Sequence, residues 1–248
     1  MEVGDARSAP DRRTWLQELR RSNERQEDAL APRYDELWGR IEPTHARFVA
    51  RFLSMLPPGG PVLDAACGTG KYFPLVLDSG RALVGMDQSG GSLAQARSKF
   101  PDVRTERRDL QDLAYRDDFD GVMCVDAMEF VASEDWPDVL RRFRRALRPA
   151  GWLYLTVELV SDDEVRAANR SALEAGLPVV EGEVIWDEPE GYYHYYPPIE
   201  RVRGWIHNAG FDVREEAEQP WNAEGYSYHH ILASSATEGG SEDAADGR

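Results

Sequence analysis

Residues 62–75 read VLDAACGTGKYFPL, and this stretch decides the fold. A short apolar run ending in an acid predicts a buried strand, and the small residues that follow predict a tight turn. Residues 72–79 then predict a helix with Pro74 in its first turn, where a proline is tolerated. The stretch therefore indicates a strand–turn–helix unit with an exposed loop at the carboxyl end of the strand.

The same alternation continues along the chain. Strand patterns at 81–87, 103–109, 119–128 and 151–159 are separated by helical ones, which indicates a parallel sheet covered by helices. After a helix ending at Gly210, two closing strands suggest an antiparallel edge. The predicted fold is α/β: a Rossmann-like doubly wound, mostly parallel seven-stranded sheet with an antiparallel edge strand and helices on both faces.

The sequence predicts a single domain over residues 12–236. Its first part, about 12–56, has a helical composition that we expect to be interrupted near Pro32, and it would form a cap over the sheet. A segment at about 160–200 breaks the rhythm and is expected to select the substrate, since loops carry function on a rigid scaffold. Residues 1–11 and 237–248 are polar and are expected to be disordered.

Two phosphate-binding interpretations of the turn can be excluded. A P-loop needs a Ser or Thr after Gly70-Lys71, and Tyr72 stands there. A dinucleotide fingerprint needs a third glycine three residues beyond Gly70, where the sequence has Phe73.

A third interpretation fits better. VLDAACGTG resembles the first motif of class I S-adenosylmethionine-dependent methyltransferases, and ALVGMDQS, RRDLQDL, FDGVMCVDAMEFV and LRPAGWLYLTVE resemble later motifs in the family's order. The resemblance covers roughly residues 60–160. It implies S-adenosylmethionine as cofactor, with S-adenosylhomocysteine as product.

The resemblance also implies which residues hold that cofactor. Asp87, 17 residues beyond Gly70, would accept hydrogen bonds from the ribose hydroxyls, and Asp109 would accept one from the adenine amine. Ala66 stands where the family more often has glycine, so we expect a negative φ there. The expected cofactor-binding residues are Tyr34, Asp64, Ala66, Cys67, Gly68, Gly70, Asp87, Gln88, Asp109, Leu110 and Asp126.

Two residues are candidates for a general base. Glu129 follows the fourth strand and would face the substrate, although a surface position explains it equally well. His194 lies in the aromatic run GYYHYYPP and could accept a proton near neutral pH, or could simply pack there. The expected walls for an aromatic or cationic substrate are Trp186, Tyr193, Tyr195 and Tyr196.

Composition limits the partners. The net charge is −16, and since phosphate binding needs a basic surface, nucleic acid is not expected. No apolar run predicts a membrane span, the N-terminus does not resemble a signal peptide, and two cysteines fit a reducing cytoplasm. The spacing of Cys and His predicts no metal site, and either a monomer or a homodimer is compatible with the sequence.

We therefore expect methyl transfer from S-adenosylmethionine to an O or N atom of a small, aromatic or amine-bearing molecule. Three alternatives stay open on the same fold. The chain could methylate a protein, could use the cofactor for chemistry other than methyl transfer, or could bind it without turnover.

Overall fold

The computed structural model describes residues 11–186, 191–220 and 226–236. The seven α-helices of this part of the chain are α1 (Arg12–Trp38), α2 (Pro43–Met55), α3 (Phe73–Asp78), α4 (Gly90–Lys99), α5 (Trp136–Ala146), α6 (Asp162–Glu174) and α7 (Ile199–Asn208). The strands are β1 (Val62–Ala65), β2 (Leu83–Asp87), β3 (Arg104–Arg107), β4 (Phe119–Cys124), β5 (Leu147–Leu159), β6 (Glu183–Trp186), β7 (Tyr192–Tyr195), β8 (Phe211–Pro220) and β9 (Ser227–Ser235). Short 3₁₀ turns cover Leu110–Asp112 and Met128–Phe130.

Seven strands form one sheet in the order β3-β2-β1-β4-β5-β9-β8. The first five are parallel, whereas β9 runs antiparallel to both β5 and β8. This arrangement confirms the predicted fold class. The strand order reverses direction between β1 and β4, so a crevice opens at the carboxyl ends of these strands.

Burial explains why the central strands form. All four residues of β1 are buried, and β4 is buried at five of its six positions. A parallel strand covered by helices on both faces loses apolar surface to the core on both sides, which accounts for its nearly continuous apolar sequence. The rigid centre of the sheet thus fixes where the loops after β1 and β4 lie.

Helix α1 differs from the prediction. It runs unbroken through Pro32, where an interruption was expected. Proline removes one backbone hydrogen bond, but side chains on both sides of it tie the helix to the sheet. Asp28 accepts from the Ser89 hydroxyl at 2.7 Å, and Asp35 accepts from the Thr69 hydroxyl at 2.6 Å. Tertiary contacts therefore override the local penalty.

The ends of the chain are only partly described. Asp11, which was expected in a disordered segment, is the N-cap of α1 and accepts from the Thr14 amide at 3.1 Å. Residues 1–10 and 237–248 lie outside the described residues, so the prediction for them stays a prediction.

Within residues 160–200 the sequence suggested a helix at 161–175, which α6 confirms, but it did not suggest the pairing of β6 with β7. Helix α6 leads into β6, and β6 pairs with β7 in a two-stranded antiparallel sheet separate from the main one. Asn23 of α1 donates to the Tyr193 carbonyl at 3.3 Å, and the Trp15 and Tyr193 rings pack edge to face. The hairpin and α1 therefore meet above the sheet. Across the described ranges, none of the helices has the length and apolarity to cross a membrane.

Candidate active site

A cavity of about 1070 Å³ opens at the carboxyl ends of the parallel strands. Its walls come from α1, the turn after β1, the ends of β2 and β3, the segment after β4, the end of β5 and strand β7. Protein ligand sites commonly have volumes of roughly 300–1,000 Å³. The cavity is therefore large enough for a nucleoside-sized group together with a second small molecule.

The turn after β1 brings its backbone to this cavity through left-handed residues. Ala66 has a φ of 63°, so the prediction of a negative φ is wrong. Gly68 and Gly70 are also left-handed, at 53° and 80°. An alanine in this conformation costs about 1–2 kcal/mol, so the surrounding structure imposes it. A Cβ on Gly70 would lie 2.9 Å from the Phe73 ring, which explains why glycine is needed there.

Asp87 ties the turn to the end of β2. Its Oδ2 accepts from the Gly68 amide at 2.8 Å, and its Oδ1 accepts from the Ser89 amide at 2.8 Å. Burial raises the pKa of Asp87, although these two amides act in the opposite direction. Asp87 and its neighbour Gln88 both line the cavity, as the sequence led us to expect.

Asp109 and Leu110 continue the wall at the end of β3. Asp109 caps a 3₁₀ turn by accepting from the Gln111 amide at 3.1 Å. Burial raises the pKa of Asp109, and Arg20 of α1, 3.5 Å away, counteracts this. A carboxylate beside a buried leucine offers an acceptor and an apolar surface together.

The remaining expected cofactor residues differ in position. Tyr34 and Cys67 line the cavity, whereas Asp64 and Gly70 are not part of its wall. Asp64 is fully buried beneath the turn, and burial together with the charge of Asp87 raises its pKa to about 8. Asp64 thus lies below the turn and not against a ligand. Burial also raises the pKa of the Cys67 thiol well above its usual range.

Asp126 lines the cavity after β4, with a left-handed φ of 53°. Burial alone would raise its pKa, yet His45 at 3.1 Å and the charge of Lys71 lower it below the usual range. Tyr72 also donates to it at 3.3 Å. Strained backbone of this kind clusters at functional sites. No motif pointed to His45, because it lies on α2, outside the stretches that resemble the methyltransferase motifs.

His194 lines the cavity but cannot readily accept a proton. The Trp186 indole N–H, which can only donate, points to His194 Nδ1 at 3.1 Å, and Tyr196 Oη lies 2.7 Å from the same atom. Nδ1 is therefore an acceptor, and the ring proton is on Nε2. Burial lowers the pKa of His194 to about 3. This geometry argues against His194 as the general base, and it leaves Nε2 as the donor of the ring.

Only two of the four aromatic residues expected to contact substrate line the cavity. Trp186 and Tyr196 do so. Tyr193 and Tyr195 point to the opposite face of β7 because strand side chains alternate. Tyr193 donates to Glu183 at 2.8 Å, and Tyr195 accepts from Arg201 at 3.2 Å, so both support the hairpin and neither lines the cavity.

Glu129 follows β4 and lines the cavity, with only 6% of its surface exposed. Its Oε2 has no hydrogen-bond partner among the described residues. Burial raises its pKa well above the usual range, and the charge of Glu158 raises it further. Glu158, at the end of β5, was not predicted. Glu27 of α1, which accepts a hydrogen bond from the Tyr192 hydroxyl, was also missed.

Comparisons with known proteins relate the central part of this chain to methyltransferases. Residues 62–151 match the model of the Methyltransferase domain family. The chain is 35% identical over 140 residues to demethylmenaquinone methyltransferase of Symbiobacterium thermophilum, covering 50% of this chain and 54% of that protein. It is 35% identical over 77 residues to trans-aconitate 2-methyltransferase of Rhizobium meliloti, covering 29% and 30%. Four curated relatives, 29% to 35% identical, are each spanned over 30% to 54% of their own length.

A solved structure supports the fold over nearly the whole chain. The 1,6-didemethyltoxoflavin-N1-methyltransferase of Burkholderia thailandensis superposes with a TM-score of 0.66 at 16% identity, covering 95% of this chain and 98% of that one. The motif order, the strand order and the matched domain agree with one another. Residues 62–151 therefore match a methyltransferase domain, and the chain has the fold of S-adenosylmethionine-dependent methyltransferases.

Proposed function

We propose that the chain transfers a methyl group from S-adenosylmethionine to an O or N atom of a small molecule. One observation carries the proposal. Asp87 and Asp109 stand at the ends of adjacent strands, beside a left-handed glycine turn, and line the same cavity as Glu129. This places groups suited to a nucleoside at one end of the cavity and leaves the other end for an acceptor.

The residues present fit the cofactor. Each oxygen of the Asp87 carboxylate accepts one backbone amide and has a further lone pair for a ribose hydroxyl. Asp109 can accept from an exocyclic amine, while Leu110 contacts the face of a base. Bound there, S-adenosylmethionine would supply an electrophilic methyl group with a neutral leaving group.

The acceptor end lies over β4, β5 and β7, on the side of the turn away from β2 and β3. Helix α1 and the β6–β7 hairpin cover it, joined by the Tyr192–Glu27 hydrogen bond and by the contact of Asn23 with the Tyr193 carbonyl. A covered cavity suits a small acceptor better than a protein surface. This supports a small-molecule substrate over the protein alternative.

The chain contributes alignment and the exclusion of water. Phe130 and Trp186 form apolar walls at the acceptor end, so that a nucleophile is held without competing solvent. An amine needs only its neutral form to react, whereas a hydroxyl must lose a proton. Glu158 is a carboxyl group on this wall whose pKa burial raises to about 7, which suits it to accept such a proton.

A methyl-transfer screen tests the proposal. The chain would be incubated with S-adenosylmethionine and with phenols, aromatic amines and amino acids, and products would be read by mass spectrometry. We expect at least one acceptor to gain one methyl group with an equal amount of S-adenosylhomocysteine formed. Tight binding of S-adenosylhomocysteine without methylation of any acceptor would instead favour a binding protein or a different use of the cofactor.

A further inference from the structure

The acceptor end contains two buried carboxyl groups, Glu129 and Glu158, and the charge of Glu158 raises the pKa of Glu129. Glu129 is more than nine-tenths buried, and its Oε2 has no hydrogen-bond partner among the described residues. The Glu158 side chain is 11% exposed, and both residues line the cavity. Burying two carboxyl groups together is unfavourable unless protons or a cation compensate for their charge.

The four Lys and Arg side chains that line the described cavity are paired with other carboxylates. Lys71 lies 3.8 Å from Asp126, and Arg20 pairs with Asp109 and Asp135. Arg40 pairs with Glu42, and Arg108 pairs with Glu106. His194 lies 4.0 Å from Glu158, but it is neutral, because burial lowers its pKa to about 3. The groups that surround the two carboxyls are themselves acidic or neutral. They include Glu27 and Tyr34 of α1, Asp126 after β4, Tyr192, His194 and Tyr196 of the hairpin segment, and Tyr228 of β9.

Aromatic rings surround the same space. The Phe130 and His194 ring centroids are 4.8 Å apart, and Tyr192 lies 5.3 Å from Phe130. Trp186 and Tyr196 pack at 6.2 Å on the other side. Aromatic faces attract a cation that has left water, and carboxylates fix where it sits.

Resting on the proposed function, we propose that the Glu129–Glu158 pair binds the protonated amine of the acceptor substrate, with the surrounding rings as its walls. The substrate class is therefore a small amine with an apolar body. Binding is balanced in protons, because an ammonium group that takes the place of a proton held by the pair releases that proton to solvent. The bound ammonium then returns one of its own protons to the pair, and the neutral amine that results can attack the methyl group.

The sulfonium of the cofactor is the rival cation, and the sheet order argues against it as the occupant. Glu129 and Glu158 follow β4 and β5, whereas the nucleoside residues follow β2 and β3, with the turn after β1 between them. Asp126 contacts Lys71 and Tyr72, which directly follow the turn, and its pKa is lowered, so it is the better partner for a positive sulfur.

Calorimetry on the full chain tests this inference. The chain is first saturated with S-adenosylhomocysteine, which has no sulfonium charge. Three matched pairs are then titrated: benzylamine and benzyl alcohol, phenethylamine and 2-phenylethanol, and cyclohexylamine and cyclohexanol. We expect at least one amine to bind roughly ten- to hundredfold more tightly than its alcohol, the range for hydrogen bonds to a charged group. Titration in two buffers with different ionisation enthalpies should show proton release.

Variants separate the pair from general acidity. Glu129→Gln and Glu158→Gln keep the shape and should each remove most of the amine preference. Glu174→Gln, an identical change at an exposed position on α6, should leave it intact. Thermal unfolding verifies that each variant folds, and the neutral side chains are compatible with burial.

The outcomes distinguish the two proposals. Failure of S-adenosylhomocysteine to bind counts against the proposed function itself. If it binds but all amines and alcohols bind equally, or no amine binds, the inference is overturned and the proposed function stands. A change in the ratio of S-adenosylmethionine to S-adenosylhomocysteine affinity in the Gln variants, with the amine preference unchanged, would assign the pair to the sulfonium and would also overturn it.

Discussion

Replacement of Asp87 by asparagine should separate cofactor binding from folding. Asparagine keeps the shape but has one acceptor oxygen, so it cannot serve the Gly68 amide, the Ser89 amide and a ribose together. Losing one hydrogen bond to a charged group costs about 1.5–3 kcal/mol. We therefore expect a Kd for S-adenosylhomocysteine that is about ten- to hundredfold weaker.

The ligand-induced shift in melting temperature measures this change. At 100 times its Kd a ligand stabilises the native state by about 2.7 kcal/mol, and a chain of this size then melts about 5–11 °C higher. A hundredfold weaker variant at the same concentration gains only about 1–2 °C.

The melting temperature without ligand should change less than this shift. Burial raises the pKa of Asp87, so removing its charge offsets part of the lost hydrogen bonding. Asp102→Asn, at an exposed position, is the matched control and should keep the full shift. An undiminished shift in Asp87→Asn would refute the placement of the ribose.

Three further predictions concern the strained and buried positions. Burial raises the pKa of Glu158 from 4.5 to about 7, so the folded state keeps the Glu158 proton up to a higher pH than the unfolded state does. The free energy of unfolding should therefore fall by on the order of 3 kcal/mol as the pH rises from about 4.5 to 7. Glu158→Gln should remove this fall in chemical unfolding at pH 4 and pH 8; an unchanged pH profile would contradict the burial argument. Ala66→Gly should raise the free energy of unfolding by up to about 1 kcal/mol, as should Ala150→Gly, which has a φ of 61°; a loss in both would contradict strain at these positions. Pro32→Ala should stabilise α1 by up to about 3 kcal/mol, and a lower melting temperature would contradict it.

The parallel sheet and the nucleoside end could be predicted because their signals are local. A buried strand must be apolar, and an acid directly after it, as at Asp87, lies at the open edge of the sheet. The expectations for Gln88, Asp109 and Leu110 came from the resemblance to the methyltransferase motifs, and all three residues line the cavity.

The acceptor end could not be predicted in this way. Glu158 continues a strand pattern without a break, and its role depends on a cavity formed by α1 and a hairpin distant in sequence. The conformation of Ala66 and the continuity of α1 through Pro32 are set by tertiary contacts that override local preference. By contrast, the side chains of Tyr193 and Tyr195 point away from the cavity because strand side chains alternate. This could have been derived once residues 192–195 were known to be a strand.

A crystal structure of the chain with S-adenosylhomocysteine tests the central claim most directly. The account predicts that both ribose hydroxyls lie within hydrogen-bond distance of the Asp87 carboxylate and that the adenine lies beside Asp109 and Leu110. The sulfur should then point toward Asp126. A ligand bound outside this cavity, or one whose ribose lies away from Asp87, would contradict the account.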